Sequence, residues 1–99
     1  MKIIRFIFSF CFMLIVSIAV SQAQQLEIHF INVGWGGSMF IKGPNGTTLL
    51  IEAGNTGKGT AKVVPYLKSI GIQPADGFDY AIAGHQHSDH LGGLAEVIN

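Results

Sequence analysis

The chain has 99 residues, with six Lys and Arg against six Asp and Glu, four His and a single Cys. That length admits one small domain at most. The balanced charge offers no positive stripe for non-specific nucleic-acid binding, and one cysteine excludes a disulfide framework or a thiolate metal cage.

Lys2 and Arg5 open the chain, an apolar run follows over residues 6–20, and Ser21-Gln22-Ala23 then offers small residues, Ser21 and Ala23, at the two positions a signal peptidase reads. This is the layout of a secretory signal peptide cleaved after Ala23, because fifteen apolar residues fall short of the roughly 20 that a membrane span needs. Cys11 would leave with it, and the small residues that precede a lipoprotein cysteine are absent. The expected product, residues 24–99, is secreted or periplasmic after bacterial-type export, with no stable membrane association. It carries Lys42, Lys58, Lys62 and Lys68 against Glu27, Glu52, Asp76, Asp79, Asp89 and Glu96. A mildly acidic segment of that size buries only about 60–65% of its unfolded surface, so its stability is marginal.

Alternating, β-branched and aromatic residues predict a strand over 26–33 (LEIHFINV). GWGGS turns the chain, MFIKG reads as a second strand, and Gly43-Pro44-Asn45-Gly46 is a strong turn signal. TTLLIEAG reads as a third strand and completes an antiparallel meander. NTGKGT is a flexible loop, after which Val63, Leu67 and Ile70 recur at helical spacing, with Gly71 as the stop. Pro65 predicts that the regular helix starts near it or kinks there. QPADG is a turn, and residues 79–83 (DYAIA) predict a short buried strand. From His90 onward Leu91, Leu94 and Ile98 again repeat at helical spacing. Strands and helices in this order give an α/β (α+β) fold class.

Other residues read as structural. His29 is expected to be a packed or edge residue of the first strand, and Asp76 and Asp79 ordinary turn residues. GWGGSM lacks both the spacing and the following Lys-Ser/Thr of a phosphate loop. Trp35 on that turn is either a wall of a cleft or a lid over the core.

The chemistry is concentrated in GHQHSDHLGG, residues 84–93, which holds three of the four histidines. In an extended segment His85 and His87 face the same side and can converge on one ion. The chain then turns into a helix start, which aims Asp89 and His90 from another direction. Imidazole nitrogens and a carboxylate are usual zinc ligands in catalytic sites. Two histidines for one ion and an Asp–His pair for its neighbour suit a two-metal centre. Gly92 and Gly93 let backbone pass close to it.

HQHSDHLGG resembles the His-x-His-x-Asp-His signature of the metallo-β-lactamase superfamily. IEAG at 51–54 and HFINVGWGGS at 29–38 match in order and spacing, and the whole is most similar to the hydrolase domain of ComEC-type competence proteins. The resemblance implies an αββα sandwich of which only the N-terminal half is present. It implies two Zn²⁺ ions, the first on His85 and His87 and the second on Asp89 and His90, with Asp89 at the centre of catalysis. The implied reaction is attack by a metal-bound hydroxide on a small-molecule phosphodiester or related ester, with nucleic acid a second substrate class. Three departures weaken the substrate inference: Asn32 and Gly37 stand where that branch has Asp, and Glu52 replaces the Asp of its IDAG. A non-catalytic exported binding domain of the same fold and a lactam-hydrolysing enzyme are the alternatives, and the 99 residues alone are expected to be inactive.

Overall fold

The computed structural model describes residues 2–21 and 25–99, so the expected cleavage point after Ala23 lies outside the described residues. Lys2–Ser21 form helix α1. No helix among the described residues is long and apolar enough to cross a membrane.

Three antiparallel strands follow: β1 (Glu27–Phe30), β2 (Met39–Lys42) and β3 (Thr48–Ile51). They are joined as the glycine and Pro-Asn-Gly turns predict. The first strand is shorter than its sequence pattern, although Ile31 still donates to the Ser38 carbonyl at 3.0 Å. β3 leads through a helical segment to β4 (Tyr80–Ile82), which pairs with it in parallel, so the sheet order is β1-β2-β3-β4. Helices and a four-stranded mixed sheet make this an α+β protein.

The helical segment begins at Gly59, earlier than Pro65 suggests, with a widened π turn over Gly59–Val63 before the regular α2 (Val64–Ser69). Pro65 has no N–H to return to the previous turn, which accounts for the widening just ahead of it. At the other end Gly71 takes φ 84°, Ile72 N–H donates to the Leu67 carbonyl and Gly71 N–H to that of Lys68. That paired arrangement terminates a helix and needs a residue at ease in left-handed backbone.

One row across the sheet, His29, Phe40, Leu50 and Ala81, faces the helices. Phe40 and Leu50 are fully buried there with Val33, Ala53, Val63 and Leu67, and Leu94 and Val97 close the end of this core. Two rows on the opposite face are also apolar: Ile28, Ile41, Leu49 and Tyr80, then Phe30, Met39, Ile51 and Ile82. None of these eight is buried. The apolar run in β4 therefore does not mark a buried strand, as its sequence suggested. Tyr80 is 63% and Ile82 44% exposed, because β4 is an edge strand and nothing described packs on its outer side. The final helix also starts earlier than expected: α3 (Ser88–Leu91) begins at Ser88, and α4 (Leu94–Ile98) follows the Gly92-Gly93 break.

Two carboxylates fasten distant segments. Asp79 accepts from the Thr48 N–H at 2.7 Å and its hydroxyl at 3.1 Å, which ties the starts of β3 and β4 together. It is more than turn chemistry. Glu96 on α4 accepts from the Gly57 and Thr60 N–H groups at 2.6 and 3.0 Å and satisfies the start of the helical segment. The Thr48 backbone bond holds Asp79 below its ordinary 3.8, and the Gly57 bond holds Glu96 below 4.5. A depressed carboxyl stabilises the fold above its unfolded pKa, and that contribution is lost as pH falls through the folded value. The fold should therefore weaken in the acid range below about pH 4.5. Glu96→Gln should flatten part of that decline in an acid titration followed by circular dichroism. An unchanged acid transition would show that Glu96 contributes nothing to it.

Candidate metal centre

The loop after β4 carries the site. His87 is extended and caps α3, Asp89 and His90 occupy the first turn of that helix, and His85 lies two residues ahead of the cap in an irregular, bent segment. The first pair comes together across that bend. The His85 Nε2 and His87 Nδ1 atoms are 3.0 Å apart, and the ring centres 4.1 Å. The second pair stands beside it, with the rings of His85 and His90 centred 5.4 Å apart. His90 Nε2 and Asp89 Oδ2 are 3.6 Å apart, too far for a good hydrogen bond.

Those spacings suit a cation. Two ligands about 2.0–2.1 Å from a tetrahedral zinc ion lie roughly 3.3 Å from each other, and 3.0 and 3.6 Å fall either side of that value. Each pair can thus offer two donors to one ion, with His85, His87 and His90 supplying nitrogens and Asp89 an oxygen. Among the described residues no three His, Cys, Asp or Glu side chains form a metal-holding group. The four candidates stand as two pairs.

Backbone packing fixes the loop from three sides, and glycine is what allows it. A Cβ on Gly36 would fall 2.0 Å from the Asp89 carbonyl oxygen, and one on Gly93 would fall 2.2 Å from that of Ala53. One on Gly92 would meet the Thr56 nitrogen at 2.6 Å. The glycine pair after the motif is therefore there for close approach, as the sequence suggested. Ala53 N–H donates to the His90 carbonyl at 3.3 Å and Gly93 N–H to that of Gly54 at 3.0 Å, which joins α3 to the end of β3.

No family model, curated protein or solved structure matches this chain. What the site can do rests on its own geometry.

Glu52 is the residue whose part the sequence left open. It is the only non-glycine among the described residues with positive φ, at 58°. Its N–H continues the ladder to the Ile82 carbonyl at 2.9 Å, and its carbonyl accepts from the buried Ser38 hydroxyl at 3.1 Å. Held by its backbone, it places Oε2 2.8 Å from His90 Nδ1. The carboxylate fills space that two glycines leave: a Cβ on Gly37 would lie 2.5 Å from Oε2, and one on Gly84 2.6 Å from Oε1. Gly37 and the longer Glu52, which looked like separate departures, are thus two halves of one fit. A carboxylate at Nδ1 accepts its proton and turns the Nε2 lone pair toward Asp89, the usual way a ligand histidine is oriented. The same bond, first among several causes, holds the His90 pKa above its ordinary value.

Shortening this side chain should therefore weaken any hold of His90 on zinc. Glu52→Asp withdraws the carboxylate by one methylene from a partner at 2.8 Å. Zinc affinity, measured by competition with a chromophoric chelator, should fall by about 10–100-fold, the usual effect of losing such an orienting group. Unchanged affinity would remove Glu52 from the support of His90.

The remaining readings fall into place. His29 sits on β1 between Glu27 Oε2 at 3.2 Å and the Tyr66 hydroxyl at 2.9 Å, with its ring against Phe40, away from the motif. Asn32 accepts from the Gly34 N–H at 3.0 Å and shapes the turn before Trp35. Trp35 is 83% exposed, which excludes a lid over the core.

Proposed function

We propose that this chain is part of an exported zinc-dependent hydrolase acting on a small phosphodiester or related ester. The observation that carries the reading is the pairing of donors, His85 Nε2 with His87 Nδ1 at 3.0 Å and Asp89 Oδ2 with His90 Nε2 at 3.6 Å. Zinc held there would supply Lewis acidity and lower the pKa of water toward neutrality. His85 and His87 would hold it from the loop after β4, and Asp89 and His90 from the helix start. Glu52 holds the proton on His90 Nδ1 and so keeps Nε2 free as a ligand. Gly36, Gly92 and Gly93 let the neighbouring backbone hold the loop rigid.

The αββα sandwich that the motif implies is part of the same proposal. Its support is the outer face of the sheet, where eight apolar side chains in two rows are exposed or half-buried and none is buried. A sheet with both faces apolar is built to be covered on both, and a second sheet would do so. The apolar run and small-residue site at the start support export.

A phosphodiester is ranked above a lactam on the resemblance to the ComEC-type hydrolase domain, since a pair of zinc ions would serve a phosphoester displacement and a lactam carbonyl alike. The mild acidity of residues 24–99 favours a small ester over a long polyanion. Assay of the full-length zinc form on bis(p-nitrophenyl) phosphate, single-stranded DNA and a chromogenic cephalosporin tests the ranking. The diester should turn over fastest. Rapid cephalosporin turnover without diester cleavage would establish a lactam hydrolase, and zinc-free protein inert toward all three would favour the binding-domain alternative.

A further inference from the structure

Trp35 is the most exposed large apolar side chain among the described residues, at 83%, and no function so far uses it. Its backbone is held on both sides. Before it, Asn32 Oδ1 accepts from the Gly34 N–H at 3.0 Å, and Gly34 takes φ 75°. After it, Gly36 takes φ 107° and abuts the Asp89 carbonyl so closely that no Cβ fits, while Gly37 O accepts from the Gly54 N–H at 2.9 Å. With consecutive Cα atoms 3.8 Å apart, the Trp35 Cα lies within about 7 Å of the Asp89 carbonyl oxygen. A large apolar ring left in water on a fixed turn, next to the main chain that carries Asp89, is placed for contact with something other than this domain.

We propose that Trp35 is a stacking platform for a planar ring on the substrate, which makes the favoured substrate a small phosphate ester carrying a nucleobase-like ring. This deepens the hydrolase reading and rests on it. A flat π-face accepts any such ring without hydrogen-bond readout, so it sets ring preference and not base identity. The charge balance points the same way, toward a mononucleotide-sized ester and away from a long polyanion.

Trp35 is the only tryptophan in the chain, so intrinsic indole emission reports on it alone. The zinc-loaded protein is titrated with adenosine 5′-monophosphate and with ribose 5-phosphate, which share the phosphate and differ in the ring. The nucleotide should quench the emission and bind about ten-fold tighter by calorimetry, the size of one base–aromatic stack. Trp35→Phe should keep most of that preference, and Trp35→Leu should abolish it. Equal affinity for the two ligands, no binding of either, or a preference that survives Trp35→Leu would each overturn the proposal. Zinc content of the same samples separates this from the hydrolase reading. Zinc bound with no ring preference removes Trp35 alone, whereas ring preference in a protein that takes up no zinc keeps the platform and removes the hydrolase.

Discussion

Replacing His87 by alanine is expected to abolish stoichiometric zinc binding at the first ion position. In the folded protein its Nδ1 stands 3.0 Å from His85 Nε2, and among the described residues no third His, Cys, Asp or Glu joins the pair. Losing one of two donors leaves a lone exposed imidazole, which binds zinc weakly. Orienting groups one step removed from a metal contribute about 10–100-fold in affinity, and a direct ligand contributes more. His87 also caps α3, but with no side-chain hydrogen bond in that role, so the fold should tolerate the change. The check is zinc content after dialysis, together with circular dichroism to show that the fold survives. Diester turnover should fall with the metal. Full zinc occupancy in a folded His87→Ala protein would take His87 out of the ligand set.

The largest effect on stability is expected at Phe40. Its side chain is wholly buried, paired in register with His29 and Leu50, and packed edge-on against Phe78 with ring centres 6.2 Å apart. Truncation to alanine costs about 3–5 kcal/mol, from lost transfer energy and the cavity left behind. Stability of small domains is often only about 5 kcal/mol. Among the described residues one sheet face carries no buried side chain and nine buried residues form the core, so Phe40→Ala should be largely unfolded at room temperature. Denaturant or thermal melting followed by circular dichroism measures it. A loss under about 1 kcal/mol would mean that the core does not depend on this ring.

Much of this architecture was legible along the chain because local rules and tertiary packing agree there. The Gly43–Gly46 turn signal, the apolar runs in MFIKG and TTLLI and the Gly71 stop each name a backbone event that the fold contains. Where they disagreed, the reason was tertiary. DYAIA has the composition of a buried strand, yet it lies at a sheet edge beneath an uncovered face, and composition carries no information about what packs on it. The widened turn at Gly59–Val63 lies just ahead of Pro65, and the start of that segment is satisfied by a carboxylate supplied from Glu96, a contact between residues nearly forty positions apart.

The candidate site divides in the same way. The closeness of His85 and His87 matches what their two-residue spacing suggested, although the segment between them bends, and the change of direction at Asp89 follows from the helix start. The link between Glu52 and His90 could not be read from spacing, because it joins the end of β3 to α3. A trace of it was present in the sequence. A carboxylate missing at Gly37 and one lengthened at Glu52 make sense together once the strands place them side by side.

The central claim is that two ion positions are built from two donor pairs. Crystals of the zinc-loaded protein, with anomalous data collected across the zinc edge, test it most directly. The account predicts two peaks about 3.5–4 Å apart, one against His85 Nε2 and His87 Nδ1 and the other against Asp89 Oδ2 and His90 Nε2. Zinc absent from both pairs, or ligated through His90 Nδ1 with Glu52 displaced, would contradict it.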